Sequence, residues 1–126
     1  MRTYTAHCIY GCFEKYVKVT VDKVFEKHKN AQCGIIENEN GINLISYETL
    51  ICTIDKNDFL SFSINPNYSR TTATHVGWFL EEYAPNIPFN ICKFCYKNEV
   101  MINIKTGEIR PLFEYENNDY DFEERD

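Results

Sequence analysis

Two close cysteine pairs constrain this chain more than any other feature: Cys8 and Cys12 are spaced C-x3-C, and Cys92 and Cys95 are spaced C-x2-C. Tetrahedral zinc takes four thiolate or imidazole ligands, and a C-x2-C pair on a tight turn presents two sulfurs at the separation the metal needs. The spacing therefore predicts one structural zinc site that staples the N-terminal segment to the C-terminal one. Four protein ligands leave no open position for water, so such a site would hold a fold and not catalyse. Structural zinc is worth on the order of 10–16 kcal/mol in apparent binding free energy, as much as the roughly 5–15 kcal/mol of a whole domain. On that reading Cys8→Ser or Cys92→Ser unfolds the protein. His7, Cys33 or Cys52 can replace a ligand, although Cys33 and Cys52 lack a nearby partner and read as core residues. Two other readings stay open: ordinary buried thiols, and redox chemistry at Cys92 and Cys95. A thioredoxin-like pair belongs where a strand meets a helix, whereas a hairpin is expected to follow here.

The compartment bears on that choice. The first seven residues lack the apolar run of a signal peptide, and no stretch approaches the ~18–20 apolar residues of a membrane span. The expectation is a cytoplasmic protein of a bacterial host cell, where paired cysteines hold metal more readily than they form disulfides. With 126 residues, 44% of them hydrophobic, one packed domain is expected over residues 1–113. Residues 114–126 form an acidic tail whose seven acids against Arg125 carry the whole net charge of −6. The body is consequently neutral and shows no basic stripe for phosphates, which disfavours direct nucleic-acid binding.

The fold class expected is α+β, with two helices packed on short antiparallel hairpins and a zinc knuckle joining the N- and C-terminal segments. Residues 13–29 contain no Gly, Pro or Ser, and Phe13, Val17, Val21, Val24, Phe25 and His28 fall at helical spacing. The preferred reading is an amphipathic helix; the competing one is a short strand over Val17, Val19 and Val21. Residues 30–43 read as a loop or weak edge segment. Leu44–Ile54 and Phe59–Ile64 flank the polar turn Asp55–Asp58 as a hairpin. After Asn65-Pro66-Asn67, a helix capped by Ser69, Thr71 or Thr72 runs to Ala84, before Pro85. Its apolar stripe is Val76, Phe79, Leu80 and Tyr83, which leaves Trp78 on the polar side with Glu81 and Glu82. Ile91–Tyr96 then reads as a cysteine knuckle, followed by a hairpin over 99–113 that turns at Lys105–Glu108.

No nucleophile elbow, HExxH, Walker loop or kinase signature is present, and His28 and His75 read as helix residues with satisfied ring nitrogens. The expectation is a protein that is not an enzyme. Two surfaces can bind a partner. One is Trp78 with Glu81 and Glu82, since exposed Trp is enriched among interface anchors; the bland alternative is that the N-terminal arm or the tail covers it. The other is the tail, where Glu114, Glu116, Asp119, Asp121, Glu123 and Glu124 interleave with aromatic side chains, combining attraction to a basic surface with anchors. Its bland alternative is a solvated terminus.

Ser46-Tyr47-Glu48-Thr49, then Tyr68-Ser69-Arg70-Thr71-Thr72-Ala73-Thr74-His75 and Phe79, resemble a small phage-encoded domain of unknown function with the pattern S-Y-x-T … Y-S-x-T-T-x-x-H-x3-F. That resemblance covers about a third of the chain and implies no reaction. By type, a small acidic chain of this kind also resembles zinc-binding anti-CRISPR inhibitor proteins. This second likeness implies a partner: a type II CRISPR effector nuclease whose basic surface is docked and whose nucleic-acid loading is blocked. The alternatives are a phage regulatory or adaptor module that binds a host transcription or replication protein, and a small redox enzyme using the C-x2-C pair.

Overall fold

The computed structural model describes residues 2–113. Two nine-residue strands, β1 (Arg2–Tyr10) and β2 (Phe13–Val21), pair antiparallel as a hairpin of their own. Six further strands form one sheet in chain order: β3 (Cys33–Asn38), β4 (Gly41–Ser46), β5 (Thr49–Ile54), β6 (Phe59–Phe62), β7 (Val100–Asn103) and β8 (Ile109–Pro111). Every neighbouring pair is antiparallel. Between β6 and β7 the chain leaves the sheet for two helices, α1 (Arg70–Tyr83) and α2 (Phe89–Asn98). The architecture is α+β, as expected.

The register explains the core. Ile35 opposes Leu44, Leu44 opposes Cys52, Cys52 opposes Phe62, and Leu60 opposes Ile102. Directly opposed residues share a face, so one apolar row crosses the sheet beneath the helices. A bulge between Leu44/Ile45 and their partners lets Ile51 and Cys52 both turn inward. Val76, Phe79 and Leu80 of α1 and Cys92 and Cys95 of α2 close the core from above.

Several elements follow from local chemistry. Ser69 caps α1 by accepting from the Thr72 N–H at 3.0 Å, and Ala84, before Pro85, is the residue after its end. The hairpin β7–β8 and the Asp55–Asp58 turn stand where the sequence puts them.

Three expectations are corrected. Residues 13–21 are strand β2, and only Glu26–His28 of the expected helix makes a helical turn, of the 3-10 type. The reason is a degenerate pattern: Phe13, Val17 and Val21 are spaced by four, which suits one face of a helix and one face of a strand equally. The β-branched Val17, Val19 and Val21 and a partner strand nine residues long resolve it. Of residues 30–43, read as a loop or weak edge segment, 33–38 form the edge strand β3 and 41–43 begin β4, while the run Leu44–Ile54, read as one arm of a hairpin, is broken by a turn at Tyr47-Glu48 into the end of β4 and β5. The cysteine knuckle is helix α2, with Pro88 before it and Glu99 ending it in the left-handed conformation at φ 55.

The hairpin docks on the sheet through a few specific contacts. Tyr4 donates its hydroxyl to the Tyr47 carbonyl at 2.6 Å, Tyr10 donates to Glu48 at 2.6 Å, and the His7 N–H donates to the Gln32 side chain at 2.8 Å. At its base Asp22 N–H bonds the Ile35 carbonyl. Gly34 permits that approach: a Cβ there would stand 2.7 Å from Val21 Cγ2.

Candidate interaction site

The residues of the S-Y-x-T and Y-S-x-T-T-x-x-H pattern meet where the end of β4 faces α1. Ser46 and His75 are both buried, and Ser46 Oγ lies 2.8 Å from His75 Nδ1. Burial, then the neighbouring His28, lowers the His75 pKa from 6.5 to about 4, so the ring is neutral at physiological pH. A catalytic Ser–His pair needs an accessible hydroxyl and a base with a pKa near the working pH. This pair has neither; it ties helix to sheet. The neighbouring Tyr47 is held at φ 57 in the two-residue turn between β4 and β5, a conformation uncommon for a side-chain-bearing residue. Its carbonyl receives Tyr4 and its N–H donates to the Gln32 carbonyl, so this turn is where the hairpin is anchored.

One turn of helix beyond His75, Trp78 does not point away from the protein. Its ring stacks on His28 with centroids 3.6 Å apart and planes 5° from parallel, and meets Phe25 edge-on at 6.0 Å. The expectation of an outward tryptophan is corrected: the 3-10 turn Glu26–His28 folds over that side of α1. What stays open is a shallow cleft of about 260 Å³ between the turn and the helix, lined by Trp78, His28, Glu26, Glu81 and Glu82 among others. The structure thus brings Trp78, Glu81 and Glu82 together and adds Glu26 from the 3-10 turn. Exposed Glu26, Glu81 and Glu82 line this cleft together with Lys27, beside the stacked Trp78 and His28 rings, and Glu26 also lies 3.9 Å from Lys29 Nζ. Carboxylates beside an aromatic face suit a cationic group.

The cysteines are placed differently from the expectation. Cys8 is buried on the inner face of β1, and Cys12 is exposed in the turn of the hairpin. Cys92 and Cys95 stand one helical turn apart on the buried side of α2. Among the described residues no three His, Cys, Asp or Glu side chains gather where they could hold a metal ion. The four cysteines are therefore not assembled into one site in this arrangement. Burial first, then Cys95, pushes the Cys92 thiol up to about 12, and burial raises Cys95. Burial also pushes Cys33 to about 12 and raises Cys52. Protonated thiols in a core behave as small hydrophobes. The tail residues Glu114, Glu116, Asp119, Asp121, Glu123 and Glu124 lie outside the described residues.

Sequence reasoning missed the Ser46–His75 bond and the His28–Trp78 stack. A signal existed for the first, because Ser46 and His75 both belong to the S-Y-x-T … Y-S-x-T-T-x-x-H pattern; nothing local signals the second, which joins the 3-10 turn to a helix far along the chain.

Fold and cleft define an α+β domain with an antiparallel sheet, two helices on one face and an acidic, aromatic-floored surface. Residues 17–88 match the model of a family of unknown function, DUF8033; the match spans more than half of the chain, and the chain belongs to that family. No curated protein and no solved structure matches it. The matched segment runs from within β2 to just before α2, so Cys8, Cys12, Cys92 and Cys95 all lie outside it. No described helix is long and apolar enough to cross a membrane.

Proposed function

We propose that this protein is a non-enzymatic binding module that docks an acidic surface onto the basic, nucleic-acid-handling face of a partner protein. The observation that carries this reading is the cleft at Trp78, where three carboxylates, Glu26, Glu81 and Glu82, outnumber the one lining cation, Lys27, beside the stacked Trp–His pair. An arginine or lysine from a basic surface would find carboxylates for its charge and a π-face for its stem or guanidinium. The acidic tail adds long-range attraction. The enclosure of Ser46 and His75, and thiols held protonated at Cys92 and Cys95, favour binding over chemistry. The specific form proposed is an inhibitor that occupies a type II CRISPR effector nuclease and blocks loading of its nucleic acid.

The test is binding to the purified nuclease over a salt series, with cleavage measured in parallel. Glu81→Lys with Glu82→Lys, both on exposed positions, should abolish binding while leaving the thermal midpoint unchanged. Removing residues 114–126 should weaken binding mostly at low salt. Undiminished cleavage at saturating protein overturns the nuclease assignment. Binding that survives the double reversal overturns the cleft.

A further inference from the structure

The hairpin presents an edge that the fold leaves open. Its turn is the two residues Gly11-Cys12, with Gly11 at φ 64 and Tyr10 opposite Phe13. In a two-residue hairpin the pair flanking the turn exchanges both backbone hydrogen bonds, and bonded pairs then recur at every second position. Lys15, Val17 and Val19 are accordingly bonded to β1. Glu14, Tyr16, Lys18 and Thr20 direct their N–H and C=O groups outward. The same alternation on β1 makes His7 outward-facing, and its N–H is indeed taken by the Gln32 side chain. On β2 nothing plays that part: among the described residues, the first backbone bond from this edge to another element is made by Asp22. A run of unpaired strand edge is a template for another strand.

The side chains along the edge select the occupant. We infer that β2 pairs antiparallel with β2 of a second copy of this chain, about a two-fold axis through Tyr16, making one continuous four-stranded sheet. Outward residues must oppose outward residues in an antiparallel ladder, which limits the two-fold centre to few registers. Centring on Glu14 or Lys18 opposes identical charges on the axis. Centring on Lys15 brings the two Lys15 side chains together, and centring on Val17 leaves Glu14 against Thr20. Only the Tyr16 centre sets Glu14 of each copy against Lys18 of the other, twice by symmetry.

The same register uses the exposed apolar groups. Tyr16, 68% exposed, already stacks on His7 with centroids 4.5 Å apart. Across the axis it would meet its own copy, giving a row of four rings on one face of the sheet. On the other face Phe13, 61% exposed, would oppose Val19 of the second copy. Two-stranded ribbons are marginal alone, and three or more strands are the usual requirement for stability; the pairing would supply them.

Sedimentation equilibrium over a concentration series up to roughly 1 mM tests this. The wild-type chain should be in monomer–dimer equilibrium. Glu14→Lys and Lys18→Glu should each weaken dimerisation by roughly tenfold or more, since each places like charges opposite at both symmetric positions. The doubly reversed chain should regain wild-type affinity, and an equimolar mixture of the two single variants should form a heterodimer. Glu14 also contacts His7 within its own hairpin, so Lys18→Glu, which spares that contact, is the cleaner of the two. A wild-type chain that stays monomeric overturns the inference. So does a dimer indifferent to both reversals, or one that the double reversal fails to restore.

Discussion

The β1–β2 hairpin and the β3–β8 sheet are both antiparallel, yet they are held by different means. The sheet buries a continuous apolar row under two helices, with Leu44, Cys52, Leu60, Val76, Phe79 and Cys92 entirely enclosed. The hairpin buries Ala6, Cys8 and Val21 and leaves Ile9, Tyr10, Phe13 and Tyr16 in contact with solvent. It is fastened by hydrogen bonds to Tyr47, Glu48 and Gln32. The contrast teaches that strand content is not stability: a ladder resists opening only in proportion to the apolar area packed against it.

The sharpest way to break the comparison is truncation on each side of it. Phe79→Ala should cost about 3–5 kcal/mol in urea unfolding, because the ring is wholly enclosed. Phe13→Ala, at a mostly exposed position of the hairpin, should change stability by no more than about 0.5 kcal/mol. Comparable losses would show that the hairpin belongs to the core.

Cysteine replacement sharpens it further. Cys92→Ser puts a hydroxyl into a closed apolar site and should cost about 1–3 kcal/mol, whereas Cys12→Ser in the exposed turn should be neutral in the same assay. Equal and severe losses at both positions, together with stoichiometric zinc by elemental analysis, would instead unite the two regions by a metal staple.

Acid should act on the sheet–helix junction more than on the hairpin. The unfolded chain takes up a proton at His75 near pH 6.5, but the folded chain resists it until about 4. Stability is thus complete above pH 6.5 and declines as pH falls through that window, by at most about 3 kcal/mol. A pH series of urea midpoints measures the slope, and His75→Gln should flatten it. The smallest effect expected is at the cap of α1, where Ser69→Ala should cost about 1 kcal/mol and lower the thermal midpoint by a few degrees.

The β5–β6 turn, the β7–β8 hairpin and the first helix were legible because their signals are local. Asn65-Pro66-Asn67, the Ser69 cap and Pro85 bracket α1, and Asp55–Asp58 marks a turn whatever surrounds it. The candidate site was only half legible. Trp78, Glu81 and Glu82 could be grouped from helical spacing, but Glu26 and His28 come from a turn that folds over them. The second helix was hidden by its cysteines. Ile91, Cys92 and Cys95 have the spacing of a buried helical face, yet two cysteines separated by two residues also spell a metal pair.

By itself, the sequence determined the class of fold, the chain reversals at Asp55–Asp58 and Lys105–Glu108, the bounds of α1, and the separation of a neutral body from an acidic end. Those follow from backbone chemistry and charge, which act over a few residues. Tertiary structure alone decided that residues 13–21 are a strand, that Cys92 and Cys95 are core, and that Ser46 meets His75. Each depends on a partner outside the segment itself: β1, joined through a two-residue turn, for the strand, the inner face of the sheet for the thiols, and α1 for the serine. A pattern spaced by four, or a thiol that serves equally as ligand and hydrophobe, has no meaning until that partner arrives.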